Sequence, residues 1–317
     1  MHPTQISIAV VIPCYNEALA IGLVLDEFKQ ALPEGVLYVF DNNSSDGTAE
    51  TARKHGADVI HVARRGKGNV IRRMFADVDA DVYVMVDGDA TYDVSAIRQH
   101  IDLLIAKRLD MVVGCRQDDG ENPQTYRPGH RLGNRLLTGS VAQIFGGQFT
   151  DMLSGYRVFS RRYAKSFPAS AHGFETETEL TVHALELRMP FAEVDIVYRS
   201  RPEGSESKLS TFRDGWRILK TIAKLFISER PLAFFAGLAA VLALISVGIA
   251  VPLALTYLET GLVPRFPTAI LSTGLMLCAM LSISCGAILH TVTVGRREVK
   301  QMAYLGIPVT ASKRIQS

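Results

Sequence analysis

Residues 82–89 read Val82-Tyr83-Val84-Met85-Val86-Asp87-Gly88-Asp89, and the rest of the chain is best read outward from them. The run Val82–Val86 is β-branched at every second position and too short for a helix, so it suits a strand buried on both faces. It stops on two carboxylates separated by a glycine. Upstream, Ile6–Ile12, Val36–Phe40 and Val59–Val62 repeat the pattern, and Met111–Gly114 repeats it downstream. Helical spacing fills the gaps: Leu19–Leu32, Thr48–Lys54, Asn69–Val78 and Val94–Ala106. Strands alternating with helices predict an α/β domain on a mostly parallel, Rossmann-like sheet. Ligands of such sheets bind beyond the carboxyl ends of the strands. Asp41, Asp87 and Arg116 each fall at or just past such an end.

Two carboxylates at i and i+2 beyond a strand suit Mg²⁺ or Mn²⁺, which use one or two carboxylates together with substrate phosphate and water. A surface turn would look the same if the triplet stood alone. Asp41-Asn42-Asn43-Ser44-Ser45-Asp46-Gly47-Thr48 also follows a strand and is rich in turn and helix-capping residues. Arg64-Arg65-Gly66-Lys67-Gly68-Asn69 is a basic, glycine-rich entry to a helix, where an anion is welcome. It is neither GxxxxGK[ST] nor GxGxxG, so nucleotide-triphosphatase and dinucleotide loops are not supported. Arg116, Arg127, Arg131 and Arg135 form a second basic group with the fork geometry that phosphate favours. Residues 127–145 and Glu175–Leu187 read as further helices. His183 sits among apolar neighbours and reads as structural. No HExxH or GxSxG is present.

The C-terminal third is different. Thr211–Arg230 is amphipathic, with Phe212, Trp216, Leu219 and Phe226 on one side and Arg213, Arg217, Lys220 and Lys224 on another. That pattern suits a helix lying in a membrane interface. Leu232–Leu258 and Thr268–Val294 carry no Asp, Glu, Lys or Arg, and each exceeds the roughly 20 residues that span a bilayer. The connection Glu259–Pro267 has Arg265 as its only base, whereas Arg296, Arg297, Lys300, Lys313 and Arg314 follow the second span. Basic flanks stay inside, so the N-terminal domain and both termini are expected in the cytoplasm, with a bacterial inner membrane the natural setting. The expected division is a catalytic domain at 1–210, the interface helix at 211–230, two transmembrane helices at 231–295 and a basic tail at 296–317.

Composition agrees. Mean hydropathy is +0.15, high for a soluble enzyme. The formal charge of +2 gives no footprint for nucleic acid. Cys14, Cys115, Cys278 and Cys285 show no CxxC pair, which suits a reducing compartment. Met1–Gln5 is polar, and no signal peptide is expected.

The motifs taken together resemble glycosyltransferase family 2, whose fold is GT-A, and within it the polyprenyl-phosphate group that includes the dolichyl-phosphate mannose synthases. The resemblance is carried by Ile12-Pro13-Cys14-Tyr15-Asn16-Glu17, the Asp41–Thr48 turn, Gly66-Lys67-Gly68-Asn69, Asp87–Asp89, and Asp151-Met152-Leu153-Ser154-Gly155-Tyr156-Arg157. Gly173-Phe174-Glu175, Glu179 and the loop Gly204–Leu209 add to it. It implies that Pro13, Tyr15, Glu17 and Asp41 line a nucleoside pocket, and that Lys67 and Asp87 lie by the ribose and diphosphate of a UDP- or GDP-linked sugar. Asp89, with Asp87, would hold Mg²⁺ or Mn²⁺. Arg116 and Arg131 would hold the phosphate of a polyprenyl phosphate, with Asn134 and Arg135 nearby and Asp151 orienting an arginine or the acceptor. Arg201 and Lys208 would sit on a loop closing over the phosphates. Relatives of this type can assemble as homo-oligomers. The group often has glutamine two positions after the second aspartate. Here it is Thr91, which leaves the third metal ligand open, with Asp93 as the candidate. The alternative acceptor is a non-lipid one, a protein or a sugar, or a growing polysaccharide, but the QxxRW motif of processive synthases is absent around the only tryptophan, Trp216.

Overall fold

The computed structural model describes residues 6–118, 138–139, 141–142, 146, 149–169, 176–202, 220 and 223–309. Arg131, Asn134, Arg135 and Lys208 lie outside the described residues, as do most of the interface helix and the stretches at 127–137 and 203–210. The chain divides into two compact units, residues 1–218 with 299–317, and residues 219–298.

The first unit is built on a seven-stranded sheet. In chain order its elements are β1 (Ile8–Cys14), α1 (Ile21–Ala31), β2 (Val36–Asp41), α2 (Thr48–Lys54), β3 (Asp58–His61), α3 (Lys67–Asp77), β4 (Val82–Met85), α4 (Ile97–Ala106), β5 (Met111–Asp118), β6 (Arg157–Ser160), α5 (Arg161–Ser166), α6 (Thr176–Glu186) and β7 (Phe191–Tyr198). The strand order is β3-β2-β1-β4-β6-β5-β7. All pairings are parallel except those of β6, which runs antiparallel to both β4 and β5. The α/β sheet is the one the strand and helix pattern predicts, and its fold class is GT-A, as the family resemblance implies.

Strand alternation sorts the core into two layers. Val10 and Ile12 of β1 and Val82 and Val84 of β4 share one apolar cluster with Ile21, Leu25 and Phe28 of α1 and Ile97, Ile101 and Leu104 of α4. The neighbouring positions point the other way, where Phe75 of α3 meets Tyr83 edge-on at 5.7 Å and Phe159 at 5.5 Å. Burying a side chain such as Phe28 contributes about 1.5–3 kcal/mol, and both layers are made of such residues.

β6 matters most for the site. Its first residue, Arg157, pairs in register with Met85 and with Val113. The preceding motif loop, Asp151–Tyr156, is thereby set at the carboxyl ends of β4 and β5. Residues from Val299 onward also belong to this unit. Lys300 Nζ reaches Glu186 Oε2 at 2.6 Å, and Tyr304 Oη donates to Asp110 Oδ2 at 2.8 Å beside the Arg162 guanidinium.

The second unit contains α7 (Pro231–Thr260) and most of α8 (Phe266–Leu305), both long and apolar enough to cross a membrane. They pair as a hairpin. Ser246 Oγ donates to the Ser272 carbonyl at 2.7 Å, and Ser272 Oγ returns a bond to the Ser246 carbonyl at 3.0 Å. α7 continues through Pro252. Leu244, Leu258, Ile270 and Leu281 are exposed along the pair, a surface that suits lipid chains.

Candidate active site

β1 and β2 end side by side, and the turns that follow are laced together. Asn16 adopts a left-handed backbone (φ 54°), and its carboxamide oxygen accepts from the Ser45 amide at 2.8 Å. The Asn16 amide donates to Ser44 Oγ at 2.9 Å, and the Glu17 amide to Thr48 Oγ1 at 2.9 Å. Asn42 ties in the basic loop. Its Nδ2 donates to the Val62 and Arg64 carbonyls, and its Oδ1 accepts from the Gly66 amide at 2.7 Å. These bonds fix one wall of a cleft of about 400 Å³ lined by Pro13, Cys14, Tyr15, Glu17, Asn42, Arg65, Lys67, Asp87, Asp89 and Arg201. The Arg65 guanidinium lies 5.7 Å from the centre of the Tyr15 ring.

Asp87-Gly88-Asp89 forms the opposite wall. Glycine is required between the carboxylates, because a Cβ at Gly88 would stand 2.6 Å from Cys14 Sγ. Gly155 of the motif loop is required for a related reason, since a Cβ there would run into the Asp87 carboxylate. Each aspartate faces a cation of the chain. Lys67 Nζ is 2.6 Å from Asp87 Oδ1 and also 2.6 Å from Glu177 Oε1. Burial works hardest against the Lys67 ammonium, but Asp87 and then Glu177 outweigh it and hold the group well above the ordinary lysine value. Arg201 Nη2 is 2.6 Å from Asp89 Oδ2, while Asp89 Oδ1 accepts from Thr91 Oγ1 at 2.6 Å. Burial, followed by the charge of Asp87, raises the Asp89 carboxyl above its usual range. Burial and four nearby carboxylates push the Cys14 thiol well up, so it is a poor nucleophile.

Beside this cleft, Arg116 and Asp151 form a two-pronged pair, Nε to Oδ2 at 2.6 Å and Nη2 to Oδ1 at 2.8 Å. Arg116 lies within β5, not beyond its end, and its guanidinium stands 5.5 Å from the centre of the Tyr198 ring. Burial and then Asp89 raise the Tyr198 phenol, while Arg116 opposes them. Tyr198 thus lies within electrostatic reach of both groups.

The expected residues therefore separate. Pro13, Tyr15, Glu17, Lys67, Asp87, Asp89 and Arg201 line one cleft. Asp41 does not line it. It is buried at the end of β2, with His61 Nδ1 at 3.5 Å. Asp93 does not line it either, and its carboxylate is engaged by the Ser95 amide at 2.9 Å and Arg199 Nη2 at 3.1 Å. Three residues not singled out for a role in the sequence shape the site: Asn42, Glu177 and Arg157. Arg157 is fully buried, and its guanidinium donates to the Ser154, Met152 and Glu177 carbonyls and to Thr181 Oγ1. It pins the motif loop to α6, which carries Glu177. Among the described residues no third carboxylate, histidine or cysteine completes a metal cluster with Asp87 and Asp89. Two carboxylates in a phosphate-sized cleft still match Mg²⁺ or Mn²⁺, whose remaining ligands are substrate oxygens and water.

A GT-A sheet with an acidic pair after β4, faced by a lysine and an arginine, defines a glycosyltransferase. The family model described as "Glycosyl transferase family 2" matches residues 9–167. A dolichyl-phosphate hexose transferase from Haloferax volcanii is 31% identical over 223 residues, covering 70% of this chain and 95% of that one. An undecaprenyl-phosphate mannosyltransferase from Micrococcus luteus is 25% identical over 212 residues, covering 63% and 86%. Among solved structures, glucosyl-3-phosphoglycerate synthase from Mycobacterium tuberculosis, in complex with Mn²⁺, UDP-glucose and phosphoglyceric acid, superposes with a TM-score of 0.56 at 22% identity, over 69% of this chain and 79% of that one. That likeness is one of fold. The chain belongs to glycosyl transferase family 2. It is a glycosyltransferase, similar in sequence to enzymes named for hexose transfer to polyprenyl phosphates.

Proposed function

We propose that this enzyme transfers a hexose from a UDP- or GDP-linked donor to a polyprenyl phosphate at the cytoplasmic face of the membrane. The observation that carries the reading is one cleft in which Asp87 and Asp89 meet Lys67 and Arg201, each pair at 2.6 Å. Such a cleft can hold a diphosphate and a divalent cation together. The relatives named for dolichyl and undecaprenyl phosphate support the lipid acceptor, and the Mn²⁺–UDP-glucose complex of the structural neighbour supports the donor and metal.

Asp89 and Asp87 would hold Mg²⁺ or Mn²⁺, which when bound neutralises charge on the leaving diphosphate. The protein's own groups do the rest. Tyr15 and Glu17, which line the cleft, would receive the nucleoside, and the Arg65 guanidinium lies over the Tyr15 ring. Lys67 and Arg201 bind diphosphate oxygens. Arg116, oriented by Asp151, receives the acceptor phosphate, and Arg131 joins it. The acceptor is already an anion near neutral pH, so no strong base is needed. The work is placement of two anions in line and stabilisation of the one that leaves. A single displacement inverts the anomeric centre, so an α-linked donor gives a β-linked lipid. The apolar hairpin keeps the enzyme where its acceptor dissolves.

The test is transfer from labelled UDP-glucose and GDP-mannose to undecaprenyl phosphate by the full chain in detergent. Asp89→Asn should abolish lipid product while circular dichroism and membrane extraction stay unchanged. Retained transfer in that variant sinks the metal assignment, and an α-linked product sinks the single displacement.

A further inference from the structure

Both oxygens of the Asp89 carboxylate are committed within the chain. Oδ1 accepts from Thr91 Oγ1, and Oδ2 pairs with Arg201 Nη2, each at 2.6 Å. The pair is enclosed, with the Asp89 side chain 8% exposed and that of Arg201 29% exposed. Mg²⁺ needs a carboxylate oxygen at about 2.0–2.1 Å. A guanidinium at the same oxygen and a divalent cation would repel each other strongly in such a poorly hydrated place. Asp89 Oδ2 can therefore serve Arg201 or a metal ion, not both at full strength.

We propose that Arg201 is the competitor for the metal site, and that the donor's diphosphate relieves the competition by giving Arg201 another partner. The inference rests on the donor reading above and adds the direction of coupling to it. The backbone fits this exchange. The Arg199 amide donates to the Thr91 carbonyl at 2.7 Å, so the chain is fastened beside Asp89 just before Arg201. Glu17 Oε1 lies 4.0 Å from Arg201 Nη1, so the guanidinium remains beside the cleft when it changes partner. Lys67 is not equivalent, because Glu177 retains it whatever happens at Asp87. Metal binding is consequently weak without a nucleotide and strong with one. Reciprocity requires that the metal strengthen nucleotide binding by the same factor.

Mn²⁺ binding to the full chain in detergent, followed by electron paramagnetic resonance with and without UDP or GDP, tests the exchange apart from turnover. In the wild type, nucleotide should tighten Mn²⁺ by about tenfold, within the usual range of such couplings. Arg201→Gln should bind Mn²⁺ about tenfold more tightly than wild type in the absence of nucleotide, and the further gain from nucleotide should be smaller than in wild type, because only direct ligation by diphosphate oxygens remains. Arg201→Lys keeps a competing charge and should stay close to wild type. Unchanged or weaker Mn²⁺ binding by Arg201→Gln overturns the inference, and so does an equal gain in Arg201→Lys. Asp89→Asn distinguishes the two levels of the argument. If it binds Mn²⁺ like wild type, the metal assignment fails and the exchange with it; if it loses Mn²⁺, only the Arg201 results decide.

Discussion

Lys67 is held by two carboxylates, Asp87 at the mouth of the cleft and Glu177 behind it. Glu177 Oε2 has no hydrogen-bond partner among the described residues, and the carboxylate lies near the buried Arg157, on whose charge it acts. A buried carboxylate with one free oxygen is expensive, so its retention calls for a purpose. Holding Lys67 in place while Asp87 turns to the donor is such a purpose. Glu177→Gln should raise the KM for the donor by about tenfold, about 1.4 kcal/mol of binding, with a smaller change in kcat. Combined with Lys67→Met, it should add nothing to the loss caused by Lys67→Met alone, because the two residues act as one unit. Additive losses in steady-state kinetics would show that Glu177 acts by another route. Most of the cleft was legible in the sequence, because Pro13, Tyr15, Glu17, Lys67, Asp87 and Asp89 sit in short motifs at strand ends. Glu177 was not, because its partner is 110 residues away and only the fold brings α6 to α3. Asp41 and Asp93 also read as site residues in the sequence. Each stands at a suggestive spacing; in the structure their carboxylates accept from the Ser44 and Ser95 amides, and neither is among the residues that line the cleft.

At the scale of elements, α6 shows how polar residues can be core. Nearly all of it is buried, and His183 packs edge-on against Tyr163 at 5.2 Å and Phe167 at 5.4 Å, with Nε2 3.0 Å from Ser166 Oγ. Burial, and then the charge of Lys300, push His183 down to about 3. An unfolded chain takes up that proton near pH 6.5. Above pH 6.5 both states are neutral and nothing is lost. Below it the unfolded state binds a proton that the folded state refuses, so stability falls by about 1.4 kcal/mol per pH unit until pH about 3. Between pH 7.5 and 5.0 the wild type should lose about 2 kcal/mol more than His183→Gln in chemical denaturation. Equal losses would place the titration of His183 elsewhere. The first five strands were legible as β-branched runs. β6 and β7 were not. β6 is four residues long and opens with an arginine, and only the structure shows that charge buried against backbone carbonyls. β7 carries Glu193 and Asp195, yet Val194, Ile196 and Tyr198 alternate with them, and that period of two was a readable strand signal.

For the whole molecule the question is which side of the membrane each segment occupies. α7 has 30 residues, about 45 Å of helix, against roughly 30 Å of hydrocarbon. α8 is longer still at 40 residues, and its last turns carry Arg296, Arg297 and Lys300. Two spans would return the chain to the side it left. The connection between them carries Arg265 as its only base, whereas Lys220, Lys224 and Arg230 precede the first span and the basic run of α8 ends the second. Moving such clusters outward is opposed by the rule that positive residues remain inside. The nucleotide-sugar reading demands the same orientation, because that donor is made and kept in the cytoplasm. The test uses a chain in which Cys14, Cys115, Cys278 and Cys285 are replaced by serine and one cysteine is added at a time. Leu262→Cys, in the connection, should react with a membrane-impermeant maleimide on intact cells. Lys313→Cys and Asp46→Cys should react only after lysis. If Asp46→Cys labels on intact cells, the cleft opens to the outside, away from any cytoplasmic donor, and the proposed reaction cannot take place there.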